Sequence, residues 1–378
     1  MSKANKETMF YVNTLAGGSL SVFGILGNIL VVTVLTLDKP VTSTSIMLRG
    51  LAISDTLFLV TTFLYKPMLG IYVHLGEAEF YAKYTYTCLI QYLRPIMYSL
   101  QHISTWIVVA VAVDRYFAVC RPLQNLSRRY ANRIRPCLTL LAVYLGCFIF
   151  NIPRFFEYET TVIQYKNRTM CSPKENQSVR QNKFFIIFYC WILYFLIMYI
   201  IPIVTVTVIN VKLILSLRQA RKQRANLRGH APHAEREENT TRLLIIVVLV
   251  FIGCQTPDFV LQVIYFINVI NPLNIKSALG VFSKVTDTLL TFNAAVNFLI
   301  YCAIGTNFRK TLTDLLMCKI KTRKRKPHFL LKNKLSSKES TVSTTWPSSP
   351  TCHMPSSRKS SNNTSKDVSE VYVQNRSK

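Results

Sequence analysis

Long runs of apolar residues alternate with short polar segments along most of this chain. A helix needs about 20 apolar residues to cross the hydrocarbon core of a bilayer. Runs of this kind lie at 11–37, 46–73, 86–119, 135–156, 184–216, 240–268 and 277–303. The third run is the least regular, because Arg94 and Gln101 interrupt it. The pattern predicts an all-α membrane protein, a seven-transmembrane helix bundle that occupies residues 11–304.

The segments on either side of this block are polar or amphipathic. Residues 1–10 are short and polar, and we expect them to form an extracellular N-terminus. Residues 305–318 repeat apolar side chains at i, i+4, i+7 and i+8, which predicts a short amphipathic helix on the membrane surface. Residues 319–378 are polar and rich in Ser and Lys, so we expect a disordered cytoplasmic tail. The apolar positions of the amphipathic helix are Phe308, Leu312, Leu315 and Leu316.

Positive charge is concentrated in three segments between or after the runs. The net charge is +27, and segments 114–135, 212–242 and 305–378 together carry +22 of it. Short cytoplasmic segments of membrane proteins collect Lys and Arg. We therefore expect a multi-pass plasma-membrane protein whose N-terminus is extracellular and whose C-terminus is cytoplasmic. A nucleic-acid-binding domain is disfavoured, because such domains do not contain runs such as LLIIVVLVFIGC.

Several polar residues lie at a similar depth inside the apolar runs. Polar groups inside a membrane span are costly and tend to mark function. Together they suggest a hydrogen-bonded pocket in the bundle that could hold a sodium ion at Asp55. Simple hydrogen bonding between helices is the alternative interpretation. The residues are Asn28, Asp55, Ser104, Asn293 and Asn297.

The third run ends in Asp114-Arg115-Tyr116, followed by FAVCRPL. Together with the polar residues above, this motif resembles the rhodopsin-like (class A) G-protein-coupled receptors, and the resemblance covers about residues 15–318. It implies that Asp114 holds Arg115 at rest. On activation Arg115 then turns toward the groove that binds the terminal helix of a heterotrimeric G protein. No cofactor is implied.

Other positions match or depart from that family. The family implies helix kinks at Pro153, Pro202 and Pro257, where a backbone hydrogen bond is missing. The usual Trp before the sixth-span proline is Gln255, and the usual proline after Asn297 is Phe298, in a motif that ends at Tyr301. The fourth run lacks its common Trp and has Tyr144 nearby.

Three segments narrow the resemblance further. Residues 43–59, 93–106 and 151–160 look like receptors for FMRFamide-type neuropeptides of invertebrates. This implies an extracellular amidated peptide ligand, ending in Arg-Phe-amide. A receptor for a different small peptide, or a seven-span transporter or channel, is the alternative. Inverted repeats or broken Gly-rich helices, expected of a transporter, are not visible in the sequence.

Two cysteines are positioned to face an oxidising compartment, Cys88 at the outer end of the third run and Cys171 in the 157–183 loop. We predict that they form a disulfide, and free buried thiols are the alternative. Asn167 and Asn176 begin glycosylation sequons in the same loop. Cys318, at the end of the amphipathic helix, is a candidate for palmitoylation.

Ionisable residues in the outer halves of the runs are the best candidates for ligand binding. Asp258 and Asp287 could pair with the guanidinium of the peptide, as bidentate contacts allow. Alternatively they pair internally with Arg94 or Lys66, and a ligand could exchange with such a pair. Aromatic and amide side chains are available at Tyr65, Tyr92, Tyr98, Gln101, Gln262 and Tyr265.

Other ligand and partner classes can be weighed in the same way. The third run, IMYSLQHIS, lacks the acid that binds biogenic amines, and the seventh lacks a lysine at the depth where opsins attach retinal. His74 and His102 are isolated, so we expect no enzyme. The basic 212–242 segment extends the fifth and sixth spans toward a G protein or anionic lipid. Phosphorylated Ser and Thr in 336–351 would suit an arrestin-type partner, or the segment is simply a solvated tail.

Overall fold

The structure is a computed structural model that describes residues 7, 9–38, 41–76, 85–120, 134–165, 168–182, 184–226, 232–270 and 276–317. Within these ranges seven helices are long and apolar enough to cross a membrane, which confirms the predicted fold. They are Phe10–Leu37, Ser43–Tyr72, Thr87–Cys120, Ile134–Phe156, Ile187–Gln219, Thr241–Ile267 and Leu279–Ile304. We refer to them as the first to the seventh span.

The spans combine α-helices with segments of other helix types. The α-helices are Gly17–Leu37, Ser43–Tyr65, Pro67–Leu75, Thr87–Cys120, Ile134–Asn151, Gln177–Gln181, Ile201–Asn226, Pro232–Ile270, Lys276–Ile304 and Thr306–Leu316. The π-helical segments are Met9–Ala16, Phe185–Leu193 and Leu196–Ile200, and a 3₁₀ turn covers Ile152–Phe156. Two strands, β1 (Tyr158–Tyr165) and β2 (Arg168–Glu175), pair antiparallel as a hairpin. This hairpin occupies a segment for which only a loop was expected.

Small residues bring the first and seventh spans into close contact. A Cβ atom added at Gly24 would lie 2.6 Å from the Cβ of Ala295, and one at Gly27 would lie 2.8 Å from the Cβ of Phe298. The Asn28 amide donates to the backbone oxygen of Ala294 at 2.9 Å. Small residues commonly allow such close approach between membrane helices. Phe298, which stands where the family has proline, therefore packs against the first span.

The prolines shape the spans differently from the prediction in two places. Pro153 does not kink an α-helix, because the α-helix ends at Asn151 and Pro153 lies in the following 3₁₀ turn. Pro67, which was not singled out, interrupts the second span, and Lys66 lies between its two α-helices. Proline has no N–H to donate, which explains both breaks. Pro257 lies inside the helix of the sixth span, as expected.

The final helix, Thr306–Leu316, packs one apolar face on the bundle. Phe308 is buried against Tyr301, with 5.4 Å between the ring centroids. Leu312 and Leu315 also pack on the core, whereas Leu316 is 71% exposed and lies off this face. Residues 318–378, with Cys318 and the expected disordered tail, lie outside the described residues, as do most of residues 1–10.

Candidate ligand-binding and coupling sites

A disulfide fastens the β-hairpin to the third span. Cys88, in the first turn of the Thr87–Cys120 helix, is bonded to Cys171 of β2, which pairs with Val162 of β1. We call this end of the bundle the hairpin end. The opposite end, where the third span finishes, is the Arg115 end.

Side chains on the next turns of the same helix also hold the hairpin. The Thr160 hydroxyl donates to the Gln91 side-chain oxygen at 2.5 Å. The Arg94 guanidinium donates to the Tyr158 hydroxyl, and its carbon lies 4.7 Å from the centre of that ring. Residues spaced three apart share one helix face. The hairpin therefore contacts one face of the third span, through Cys88, Gln91 and Arg94. Arg94, expected to contact ligand, thus contacts the hairpin.

Lys66 and Asp287 form an ion pair between the second and seventh spans. The Lys66 ammonium lies 2.6 Å from Oδ2 of Asp287. Both side chains keep some accessible surface, at 16% and 31% respectively. This is one of the internal pairs that the sequence left open. The other carboxylate oxygen of Asp287 makes no hydrogen bond within the described part of the chain.

Asp258 on the sixth span lies nearby but has a different environment. It is 6% exposed, and its Oδ2 accepts a hydrogen bond from the Tyr199 hydroxyl at 2.6 Å. Among the described residues no ammonium or guanidinium contacts it. The charges of Asp287 and Lys66 do act on its carboxyl group, so the three residues share one electrostatic environment. A buried carboxylate normally requires a charged partner.

The π-helical turns of the fifth span explain how its tyrosines reach the interior. Tyr194 and Tyr199 are five residues apart, and an α-helix would place them on different faces. A π-helical i→i+5 hydrogen bond stacks residues five apart instead. Leu196–Ile200 is π-helical, and the ring centroids of Tyr194 and Tyr199 are 6.2 Å apart. Both rings are buried.

The remaining predicted ligand residues are partly accessible at the same end. Tyr65 lies beside the Lys66–Asp287 pair, with 5.9 Å between its ring centre and the Lys66 ammonium. Tyr98 lies beside the Arg154 guanidinium, at 5.1 Å from its ring centre. Gln101 and Gln262 are half-buried, and neither side chain makes a hydrogen bond within the described ranges. Polar surface therefore remains available to a ligand.

His102 is not isolated, contrary to expectation. It is 1% exposed and contacts the Asn151 amide at 3.2 Å and the Tyr194 hydroxyl at 2.8 Å. The Arg154 guanidinium lies 4.0 Å from the centre of the Tyr194 ring. These contacts join the third, fourth and fifth spans. His102 and Asn151 each interrupt an apolar run, and that signal could have indicated a polar contact.

The polar residues at mid-depth divide into two groups. Oδ1 of Asp55 accepts from the Ser104 hydroxyl at 2.6 Å, and Oδ2 accepts from the Asn297 amide at 2.8 Å. The second, third and seventh spans are thereby linked. Asn293 is half-buried without a hydrogen bond among the described residues, and the buried Tyr301 hydroxyl also has no partner there. Tyr301, at the end of the Asn297 motif, is expected from the sequence to join this polar network with Asn293, but neither side chain does so within the described ranges. Asn28 donates to the Ala294 backbone instead.

At the Arg115 end, the Asp114 carboxylate is fully engaged. The Arg115 guanidinium lies 2.9 Å from Oδ2, which also accepts from the Thr44 hydroxyl at 3.0 Å. Oδ1 accepts from the Ser43 hydroxyl at 3.1 Å. Ser43 and Thr44 begin the helix of the second span, and their contacts were not predicted. The Tyr116 ring lies 5.9 Å from the Lys212 ammonium, outside this cluster.

An apolar pocket lies next to Arg115 at this end. Its walls come from the second, third, fifth and sixth spans, and Asn210 is the other polar residue that lines it. Nε of Arg115 is buried and has no hydrogen-bond partner among the described residues. Arg115 therefore has an unused donor beside space between the spans.

The remaining predicted modification sites are only partly described. Asn176 caps the Gln177–Gln181 helix, and its side-chain oxygen accepts from the Ser178 amide at 3.0 Å. Asn167 and Cys318 lie outside the described residues.

Several known receptors are similar to this chain. The FMRFamide receptor of Drosophila melanogaster is 27% identical over 81% of this chain, and the match spans 54% of that receptor. The Drosophila melanogaster sex peptide receptor is 27% identical over 81% of this chain and 72% of its own length. Opsin-VA of Rutilus rutilus is 27% identical over 57% of this chain and 52% of its own. The chain thus spans about half the length of the first of these relatives.

A family profile covers most of the chain. The profile described as serpentine type 7TM GPCR chemoreceptor Srw matches residues 15–319. This range contains most of the first span, the other six spans, the hairpin and the Asp114–Arg115 pair. The chain therefore belongs to the serpentine-type seven-transmembrane G-protein-coupled receptor family.

Proposed function

We propose that this protein is a plasma-membrane receptor that binds an extracellular peptide ending in Arg-Phe-amide and activates a heterotrimeric G protein. The hairpin end is extracellular in this proposal, with the N-terminus outside and the C-terminus inside. The disulfide of the hairpin suits an oxidising compartment. The basic segments 114–135, 212–242 and 305–378 suit the cytoplasm.

The observation that carries the ligand assignment is the buried carboxylate of Asp258. It has a phenol for a partner and no cation in contact among the described residues. A ligand guanidinium would supply the missing charge, and the ring of a terminal phenylalanine would pack among Tyr65 and Tyr98. The similarity to an FMRFamide receptor supports this class of ligand. Residues Arg94, Gln101, Gln262 and Asp287 complete the proposed ligand surface.

At the Arg115 end we propose that Asp114, Arg115 and Tyr116 couple to the G protein. The ion pair between Asp114 and Arg115 suits a resting receptor, and Arg115 also lines an apolar pocket between the spans. The basic 212–242 segment would bind the G protein or anionic lipid. Phosphorylated residues in 336–351 would bind an arrestin-type protein, and palmitate on Cys318 would anchor the adjacent helix.

The polar network at mid-depth and the hairpin carry two smaller proposals. A sodium ion would bind beside Asp55. The Asp55 carboxylate and the neighbouring Ser104 hydroxyl both offer hard oxygen ligands. Glycans on Asn167 and Asn176 would extend from the hairpin end.

The test is expression of the chain in cells with a panel of amidated peptides, including Phe-Met-Arg-Phe-amide. Peptide-evoked calcium or cAMP changes are expected, together with peptide binding that guanine nucleotides weaken. Arg115→Ala is expected to retain peptide binding and lose signalling. The control is Arg309→Ala, at an exposed position of the final helix, which is expected to change neither binding nor signalling. A peptide-evoked current that persists without any G protein would identify a channel instead.

A further inference from the structure

Building on the proposed function, we infer that two separate subsites read the end of the peptide. The Lys66–Asp287 ion pair binds the terminal carboxamide, and Asp258 binds the cationic side chain that precedes it. The carboxamide subsite is an ion pair with no net charge, and the cation subsite is a single carboxylate.

The charges at the hairpin end favour Asp258 for the cation. Asp287 already has the Lys66 ammonium 2.6 Å away, so a guanidinium there would have to displace it or add uncompensated charge. Asp258 is buried with a tyrosine as its partner, so a guanidinium there would complete a neutral pair. Buried charges are tolerated when they are paired and hydrogen-bonded. A cationic ligand group is therefore most stable at Asp258.

The ion pair matches the hydrogen-bonding groups of a primary carboxamide. The Lys66 ammonium has three donors and Asp287 has a second carboxylate oxygen, which has no hydrogen bond among the described residues. A carboxamide offers one acceptor and an NH₂ group, so it can bond both residues without adding charge. A free carboxylate offers acceptors only and would be repelled by Asp287. The partly accessible side chains leave surface for this contact.

The positions of the subsites suit neighbouring residues of a peptide. Asp258 lies on the sixth span and Asp287 on the seventh, and these two helices pack against each other, so the two subsites lie on neighbouring helices. Consecutive residues of an extended peptide lie about 3.3–3.6 Å apart, and an arginine side chain reaches further. The Tyr65 ring, 5.9 Å from the Lys66 ammonium, borders the carboxamide subsite. Arg94 lies outside both subsites and borders the ligand surface through the hairpin, because its guanidinium donates to the Tyr158 hydroxyl.

Competition binding with four peptides separates the two subsites. The peptides are Phe-Met-Arg-Phe-amide, its free acid, and both forms with citrulline, a neutral isostere, in place of arginine. The wild-type receptor is expected to prefer amide over acid by about tenfold or more, the size of one charge-assisted hydrogen bond. Asp287→Asn is expected to reverse this preference, because the free acid then pairs with Lys66 without repulsion.

Asp258→Asn is the matched control with the same chemical change on the neighbouring helix. It is expected to remove the preference for arginine over citrulline and to keep the preference for amide over acid. Surface expression of each variant is measured with an antibody to an N-terminal tag. The exchanged double variant Lys66→Asp/Asp287→Lys keeps the ion pair and is expected to keep the amide preference. It therefore tests the carboxamide subsite even if a single variant folds poorly.

The outcomes distinguish this inference from the function it rests on. Binding without any amide preference, or an amide preference that Asp287→Asn and Lys66→Met leave unchanged, overturns the inference alone. If none of the amidated peptides binds the wild-type receptor, the proposed function fails, and the two subsites fail with it.

Discussion

An aspartate at each end of the bundle has a different set of partners. At the hairpin end, Asp258 accepts one hydrogen bond, from Tyr199, and one of its oxygens has no partner among the described residues. At the Arg115 end, Asp114 accepts from Arg115, Thr44 and Ser43, so both oxygens are engaged. The first arrangement suits the arrival of a charged partner. The second holds a charged group in place within the protein.

The middle of the bundle links these ends through the same pair of helices. The second and seventh spans are joined at the hairpin end by Lys66 and Asp287, and at mid-depth by Asp55 and Asn297. Each helix runs about 15 Å between the two links, at 1.5 Å per residue. The Lys66–Asp287 pair and the Asp55 contacts therefore connect the same two spans at different depths. Contacts between these two spans thus extend from the hairpin end to mid-depth.

The largest expected effect follows from detaching the hairpin, which should alter one end alone. Cys88→Ser with Cys171→Ser removes the covalent anchor, and a disulfide of this kind typically contributes about 2–4 kcal/mol. If ligand binding must then order the hairpin, peptide affinity is expected to fall by about 100-fold. Basal signalling from the Arg115 end should not change. Radioligand competition and basal second-messenger levels, normalised to surface expression, measure the two quantities.

Cys137→Ser is the control, because Cys137 is an exposed free cysteine at the Arg115 end. It should leave both quantities unchanged. Peptide affinity that survives loss of the disulfide would mean that Gln91 and Arg94 hold the hairpin by themselves.

An intermediate effect is expected from opening the other end. Asp114→Asn removes the ion pair with Arg115. In this pair the Asp114 side chain is 24% exposed and the Arg115 side chain is 14% exposed. With allowance for partial solvent screening, the loss is about 1.4 kcal/mol, or about tenfold in the equilibrium between held and free Arg115. Basal signalling should rise accordingly, with peptide affinity at the hairpin end little changed.

Asp314→Asn makes the same charge change on an exposed position of the final helix and serves as control. Basal second-messenger levels of the two variants, compared at equal surface expression, decide the matter. Equal levels in both would show that the Asp114 ion pair does not restrain Arg115.

Much of this fold could be predicted from the sequence, because membrane helices are recognised by their length and apolar content. The sequence also indicated polar residues that make hydrogen bonds between spans, since Asp55, Asp114 and Asp258 all interrupt or end apolar runs. Their partners were harder to assign. The internal pair of Asp287 with Lys66 remained one of several alternatives, because charge alone does not fix how helices face each other.

Local backbone geometry accounts for most of what the sequence missed. The π-helical turns of the fifth span rotate Tyr194 and Tyr199 to one face, and no hydrophobic period of 3.6 residues predicts that. Ser43 and Thr44 reach Asp114 because the second span begins beside the end of the third. Such meetings depend on helix crossing, which apolar patterns do not specify.

The smallest expected effect comes from the hydroxyl groups that donate to Asp114 at the Arg115 end. Ser43→Ala and Thr44→Val each remove one donor from Asp114 and keep most of the packing. A hydrogen bond contributes about 0.5–1 kcal/mol net, so each variant should raise basal signalling about two- to fivefold. Ser45→Ala is the matched control on the same turn, because the Ser45 hydroxyl bonds Thr42 rather than Asp114. It should lower stability slightly without raising basal signalling.

The origin of that rise can be checked by combining variants. If the hydroxyls act through Asp114, Ser43→Ala should add nothing in an Asp114→Ala background, because residues that share one carboxylate are not energetically independent. An additive rise would mean that Ser43 restrains the second span directly. The carboxylate would then hold Arg115 alone, and the contrast between the two ends would rest on the ion pair and not on the number of donors.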